Sequence, residues 1–310
     1  MDLFSVAFIS AFVTGFIAAS MPLLVASLGE TIGEQSGVLN LGIEGVMLFG
    51  GYTGFVVTLA TGSFPLGMLA GAGAGIAVSL IFLLLSVLLG LNQIVIGLAM
   101  TLLGGGITSV LYFEHYSKST PRLGKDEPLP IPFLSEIPVV GDSVFSQSAT
   151  FWVMLVLAAA VAWFLAKTNF GLQIKAAGQN PNSLDASGGS VLRTRSIAVL
   201  LGGFFSGLGG AYLALISTGA FTPFMTQGIG YTAIVVTMLA RGRISWVIGT
   251  SMVFGLSVAV GTVIQLTSIN LPTDIIKMFP FVVVISVLVI FARSAYVPPA
   301  LGLPYSRGSR

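Results

Sequence analysis

No lysine or arginine occurs in the first 117 residues, and that stretch is dominated by apolar runs on the scale of a lipid bilayer. Roughly 17 to 25 apolar residues in a helix cross about 30 Å of hydrocarbon. Nine such segments are read along the whole chain, near 4–29, 37–60, 66–90, 92–113, 150–166, 196–217, 228–240, 244–266 and 274–292. A mean hydropathy of +0.99, with 55% hydrophobic and 8% charged residues, excludes a water-soluble surface. The expected fold is an all-α integral membrane protein of about nine transmembrane helices, within a range of eight to ten, forming one domain over 1–310. The first run is too long for a signal-peptide core and lacks a cationic segment before it, so it reads as a retained helix.

Charge asymmetry assigns the sides. Between Lys167 and Arg195 lies the polar loop KTNFGLQIKAAGQNPNSLDASGGSVLRTR, with four of the thirteen Lys and Arg and one acid, Asp185. Cations near helix ends resist translocation, which puts the 167–195 loop on the cytoplasmic side of a plasma or inner membrane. Alternation then brings Arg241, Arg243, Arg293, Arg307 and Arg310 to the same side, nine of thirteen cations in all, and makes the C-terminus cytoplasmic. The 114–149 segment falls outside with Lys118, Arg122 and Lys125 among five acids, and its prolines favour an extended surface loop. Helix parity places the N-terminus outside.

A long helix, a glycine-rich break and three further spans occur in 1–113 and again in 196–292, with the 150–166 span between them. One intervening span inverts the second half relative to the first. Inverted repeats with interrupted segments in matching places build midplane pathways in many transporters. The two breaks are GETIGEQSGVLNLGIEG at 29–45 and STGAFTPFMTQGIG at 217–230.

Glu34, Gln35, Asn40 and Glu44 stand among glycines in the first break, with no cation nearby in sequence. A carboxylate at membrane depth faces protein, water or a partner, so Glu44 caps the N-H groups of a half-helix, lines the pathway, or does both. If residues 40–44 are helical, Asn40 and Glu44 share a face. Asn92, Gln93, Thr101, Thr108 and Ser109 give the fourth span polar positions for a wet pathway, and Gln265 adds another in the eighth. Phe204, Phe205, Phe221, Phe224 and Tyr231 flank the second break, where they either contact a base or sugar face or simply pack. Gly71-xxx-Gly75 and Gly203-xxx-Gly207 read as close helix contacts. Lys277 is the only cation inside the membrane zone, at a helix end beside Asp274. A neutral polyhydroxylated solute therefore suits the chain better than an anion.

GEQSGVLNLGIEGVMLFGGYTGF resembles the signature of permease subunits of ABC importers for nucleosides, within the larger group that moves ribose-type sugars and branched-chain amino acids. LNQIVIGLAMTLLGGGITSVLY at 91–112, PLPIPFLSEIPVVGDSVFSQ at 128–147, FGLQIKAAGQNPNSLDASGGSVLRTRSIAVLLGGFFSGLGGAYLAL at 170–215 and FTPFMTQGIGYTAIVVTMLARGR at 221–243 follow in the family's order. The chain is similar to the shorter of two permeases that pair in such systems. The resemblance implies a homo- or heterodimeric channel, with a heterodimer formed with a second permease as the expectation, an ATPase subunit on the cytoplasmic face and an extracytoplasmic substrate-binding protein. The ATPase-coupling element falls on Gly178, Gln179, Asn180, Pro181, Leu184, Asp185 and Gly188. Asn180-Pro181 opens a short helix there, with Gly178 and Gly188 as turn residues. The family's loop usually carries an Arg and a Glu where Lys175 and Gln179 stand.

The chain has no phosphate-cradling loop, because its only Gly-Lys, Gly124-Lys125, is followed by Asp126. No cofactor is expected on this chain; ATP and Mg²⁺ belong to the partner. With no cysteine and a sole histidine, His115, read at the outer rim, neither a Cys/His metal site nor a Ser-His-Asp triad is expected. The chain is expected to be a transport subunit rather than an enzyme, with no nucleic-acid partner. A simple sugar or a riboflavin-like compound is the alternative substrate. An ion-coupled secondary transporter and a pathway-free membrane subunit are the competing classes, and neither needs a motor-docking loop.

Overall fold

The computed structural model describes residues 6–116, 119–137, 141–266, 272–291 and 297–305. Eleven α-helices run in order: α1 (Val6–Gln35), α2 (Ile43–Thr61), α3 (Phe64–Phe82), α4 (Gln93–Tyr116), α5 (Ala149–Lys167), α6 (Asn169–Gln179), α7 (Pro181–Ala186), α8 (Val191–Tyr212), α9 (Ile229–Ala240), α10 (Ile244–Leu266) and α11 (Thr273–Phe291). Turns of π-helix extend α3 through Leu88 and α8 through Ser217. Lys118, Pro138, Arg293, Arg307 and Arg310, which the topology argument used, lie outside the described residues.

Among the described residues, seven helices are long and apolar enough to cross a membrane, against the nine spans read from the sequence. α9 is the clearest shortfall: its 12 residues reach only about 18 Å at 1.5 Å per residue. The chain is a multi-pass membrane protein.

Helix boundaries follow local chemistry. Ser63 and Ser190 cap α3 and α8 by accepting from Leu66 N and Arg193 N, and Gly62 ends α2 in the left-handed conformation at φ 71°. Two boundaries differ from the sequence reading. α1 continues through Glu30 and Glu34 to Gln35, so the first break shrinks to residues 36–42. These polar residues are helical because neighbouring helices bury them. The 167–195 loop is itself mostly helix, comprising α6, α7 and the first turn of α8.

α8 occupies the centre, against α1, α2 and α3, while α1 also lies on α9 and α10. Lipid offers no hydrophobic drive between helices, so close backbone approach has to hold them. The two small-residue motifs meet each other: a Cβ added to Gly207 would stand 2.9 Å from Gly75 Cα, and one on Gly203 would be 2.6 Å from Gly75 O. Outside the bundle the 114–149 segment is folded back rather than merely extended. Leu129 N donates to Gln147 O at 3.0 Å and Ile131 N to Phe145 O at 3.1 Å. Leu123 N donates to Gly219 O at 2.8 Å, tying this segment to the second break.

Candidate functional site

Non-helical backbone at membrane depth has to be satisfied by protein or water, and α4 supplies the first break. Gln93, 3% exposed, accepts from Leu39 N at 2.8 Å, and the Thr101 hydroxyl donates to Leu41 O at 3.1 Å. Asn40 is not helical and does not share a helix face with Glu44; its Oδ1 accepts from Gly42 N at 2.9 Å, two residues on. Thr108 and Ser109 donate to Gly104 O and Gly105 O of their own helix, both at 2.6 Å. Asn92 is exposed and caps α4 through Ile94 N and Val95 N. The polar face read along the fourth span therefore largely serves backbone.

Glu44, 6% exposed, begins α2 and reaches across to the second break. Its Oε1 accepts from the Thr226 hydroxyl at 2.6 Å and from Gly228 N at 2.7 Å, while Oε2 accepts from Gly230 N at 2.7 Å. The carboxylate thus sits on the N-terminus of α9, where the helix dipole favours negative charge. The second break is conformationally tight: Phe224 and Gln227, neither of them glycine, adopt left-handed φ of 57° and 44°. Such conformations persist where the surroundings over-determine them.

Beside this cap lies a groove of about 420 Å³ between α1, α10, α11 and the second break. Thr226, Gln227, Gln265 and Lys277 give it polar groups, and Phe254, Pro280 and Phe281 give it apolar wall. Gln265 is thereby placed on a cavity; Glu34 and Gln93 are not brought to it. The aromatic candidates separate. Phe221, 1% exposed, is sealed among Tyr52, Phe55 and Tyr112 with centroids 5.4, 6.4 and 5.7 Å away, so it cannot touch a solute. Phe205 is likewise buried and meets Phe204 edge-on at 5.2 Å. Phe224 is exposed and lies over Gly105 of α4, and Tyr231 is half-buried.

The sequence profile described as the permease component of branched-chain amino acid transport systems matches residues 12–288. The chain belongs to this permease family. The permease is 31% identical over 315 residues to a guanosine ABC transporter permease of Bacillus subtilis, covering 97% of this chain and 98% of the relative. It is 31% identical to a nucleoside ABC transporter permease of Lactococcus lactis over 306 residues, 94% and 96% of the two chains. A putative glucose ABC transporter permease of Haloferax volcanii is 37% identical over 243 residues, 77% of this chain and 73% of the relative. No solved structure matches. As a transport component, the permease is not an enzyme.

On the face of the permease that carries the 167–195 loop, α7 begins at Pro181 with Asn180 Oδ1 accepting from Ser183 N at 3.0 Å. Gly188, at φ 86° with open space around it, ends the element. Gly178 is not a turn residue: it lies in α6, where a Cβ would stand 3.0 Å from Gly37 N, so glycine there permits contact with the end of α1. Leu184 is buried with Ala177 and Val191, with Tyr305 against them. Gln179 lines a polar cavity of about 190 Å³ with Glu34, Lys175, Arg241 and Arg243.

Sequence reasoning passed over Arg195, which is 2% exposed. Its guanidinium donates to Ser36 O at 3.1 Å, Leu303 O at 2.7 Å and Ala300 O at 3.4 Å. The C-terminal segment is stitched in twice more, by Ala300 N to Gly178 O at 3.0 Å and Gly302 N to Gly37 O at 3.1 Å. Glu30, 2% exposed and one turn before Glu34, was passed over as well. The signal for Arg195 was its place next to a long uncharged run.

Proposed function

We propose that the chain is the membrane permease subunit of an ATP-driven ABC importer that moves nucleosides into the cytoplasm. The observation that carries this reading is identity of 31% along almost the full length of both the guanosine and the nucleoside permeases. The α6–α7 element docks the partner ATPase, which supplies ATP and Mg²⁺. A second permease completes the channel as a heterodimer, and an extracytoplasmic binding protein delivers the solute. The 167–195 face and the C-terminus are cytoplasmic in this reading, on the strength of the cation distribution.

The halves 1–113 and 196–292 form an inverted repeat in the same reading. Reciprocal contacts support it: α1 on α10 is matched by α8 on α3, and α2 on α8 by α9 on α1. Glu44 then joins the break of one half to the first helix after the break of the other, and holds α9 in place beside the groove. A sugar is the second reading, favoured by the likeness to a putative glucose permease. Uptake in vesicles carrying the complete complex, with ATP inside and labelled guanosine and glucose compared outside, tests both. Guanosine uptake supports the proposal, glucose uptake alone supports the second reading, and uptake of neither removes both.

A further inference from the structure

The turn joining α9 to α10, Arg241-Gly242-Arg243, stands over a groove that the transport reading does not use. That groove holds about 550 Å³ and is walled by the end of α9, the first turns of α10 and Val287 of α11. Two guanidiniums and no acid occur among its lining residues. Below them the wall is Trp246, Gly249 and Val253, with Trp246 48% and Val253 43% exposed. Gly249 opens the floor, since a Cβ there meets nothing within 4 Å.

We infer that this groove binds an anionic phospholipid of the leaflet facing the 167–195 loop. Arg241 and Arg243 also line the small cavity shared with Glu34, Lys175 and Gln179, which fixes the membrane face on which they lie. A guanidinium matches a phosphodiester through paired hydrogen bonds. Basic pockets between membrane helices suit such headgroups, and tryptophan favours the headgroup level. Charge at the rim and an apolar channel beneath it are complementary to an anionic amphiphile, and a zwitterionic lipid would gain less from a groove whose lining holds two guanidiniums and no acid. The turn is held rigidly enough to present both side chains. Gln35 Nε2 of α1 donates to Gly242 O at 2.8 Å, and Arg241 itself takes a left-handed φ of 51°. Because the same two arginines face the α6 cavity on their other side, an occupied groove would hold the turn next to the α6–α7 element.

The test uses the assembled complex in bilayers of phosphatidylcholine doped with either phosphatidylglycerol or phosphatidylcholine carrying a diazirine in one acyl chain. Labelling is mapped by peptide mass spectrometry. Residues 246–253 should be labelled preferentially by phosphatidylglycerol, by about fivefold for each arginine, the equivalent of ~1 kcal/mol per basic residue near an anionic surface. Arg241→Gln with Arg243→Gln should erase the preference, and Arg241→Lys with Arg243→Lys, which keeps charge and topology, should retain most of it. Gly249→Leu, filling open space, should remove labelling with both arginines present. Equal labelling by the two lipids, or a preference that survives the double Gln variant, overturns the site. So does absence of labelling when a photoreactive residue at 249 crosslinks to the second permease, which would make the groove a subunit interface.

Discussion

The Thr226 hydroxyl donates to Glu44 across 2.6 Å, between residues 182 positions apart. With Gly228 N and Gly230 N on the same carboxylate, the start of α2 fixes the start of α9. The second break is thereby positioned by a residue of the first, and movement of either should be felt by the groove between α1, α10 and α11.

Glu44→Gln keeps one acceptor but loses the charge on the α9 dipole. Charge at a partly buried helix N-terminus is worth up to ~2 kcal/mol, so a lowered melting temperature and transport reduced severalfold are expected. Glu44→Lys places a cation on three donors and should prevent assembly. Thermal stability of the purified complex, read beside transport, checks both; a fully active Lys variant would show that the cap is dispensable.

Arg195→Ala leaves three carbonyls without their donor in a buried place, at ~1–3 kcal/mol for an unsatisfied group. The 297–305 segment should then detach from α6 and α1. The chain contains no cysteine, so Ala300→Cys reports without background. Maleimide should react slowly with that cysteine beside Arg195, because position 300 is 7% exposed, and at least several times faster beside Arg195→Ala. Unchanged rates would mean that the segment is held without the guanidinium.

Spans were legible where apolar runs of bilayer length have few other uses: α3 with its π-helical extension, α4 and α5 start and end within three residues of the runs, whereas α2 starts six residues late. The second break, read at 217–230, lies at 218–228, but the first was misplaced, for a definite reason. Glu30, Thr31 and Glu34 look like loop residues in an apolar setting, yet they are 1–3% exposed within α1. Polarity at membrane depth marks either a break or a buried contact, and sequence alone does not separate the two. A lone acid between glycines signals a carboxylate with a partner, but nothing local says that the helix it caps begins at residue 229. Arg195 shows the same limit, since its acceptors lie 159, 105 and 108 positions away. Phe221 and Phe224 are indistinguishable in sequence, and only tertiary neighbours seal one and expose the other.

The α6–α7 element, proposed to dock the ATPase, separates two kinds of substitution. Leu184 is buried against Ala177 and Val191, so Leu184→Arg should disorder α7 itself. Asn182 is exposed on α7, and Asn182→Arg should leave the helix intact while reducing substrate-stimulated ATP hydrolysis at least tenfold. Protease sensitivity of the 167–195 region should rise for Leu184→Arg and stay level for Asn182→Arg. Normal stimulation with the Asn182 variant would move the ATPase contact off this face of α7.

Glycine contacts make a paired stability test. Gly75 faces Gly207, whose Cα would be 2.8 Å from an added Cβ, whereas Gly73 on the same helix meets nothing within 4 Å. Gly75→Val should cost at least ~1–3 kcal/mol, typical of overpacking, and Gly73→Ala should be neutral or slightly stabilising through helix propensity. Thermal unfolding in detergent distinguishes them; equal behaviour would mean that α3 and α8 do not meet at Gly75.

Charge selection can be tested at the groove beside the cap. Lys277 is the only cation among its lining residues, set with Thr226, Gln227 and Gln265. Hydroxyls and ring nitrogens find partners in those neutral groups, whereas a phosphate dianion would depend on one lysine near a helix end that can extend to the interface. Uptake of adenosine and uridine should therefore exceed that of adenosine monophosphate and of leucine by at least tenfold in vesicles with the full complex and ATP. Lys277→Gln should leave nucleoside uptake within about twofold, since no charge is being neutralised, while Thr226→Val, which removes a donor from Glu44, should lower it. Efficient monophosphate uptake that disappears with Lys277→Gln would reverse the argument and make the groove an anion path.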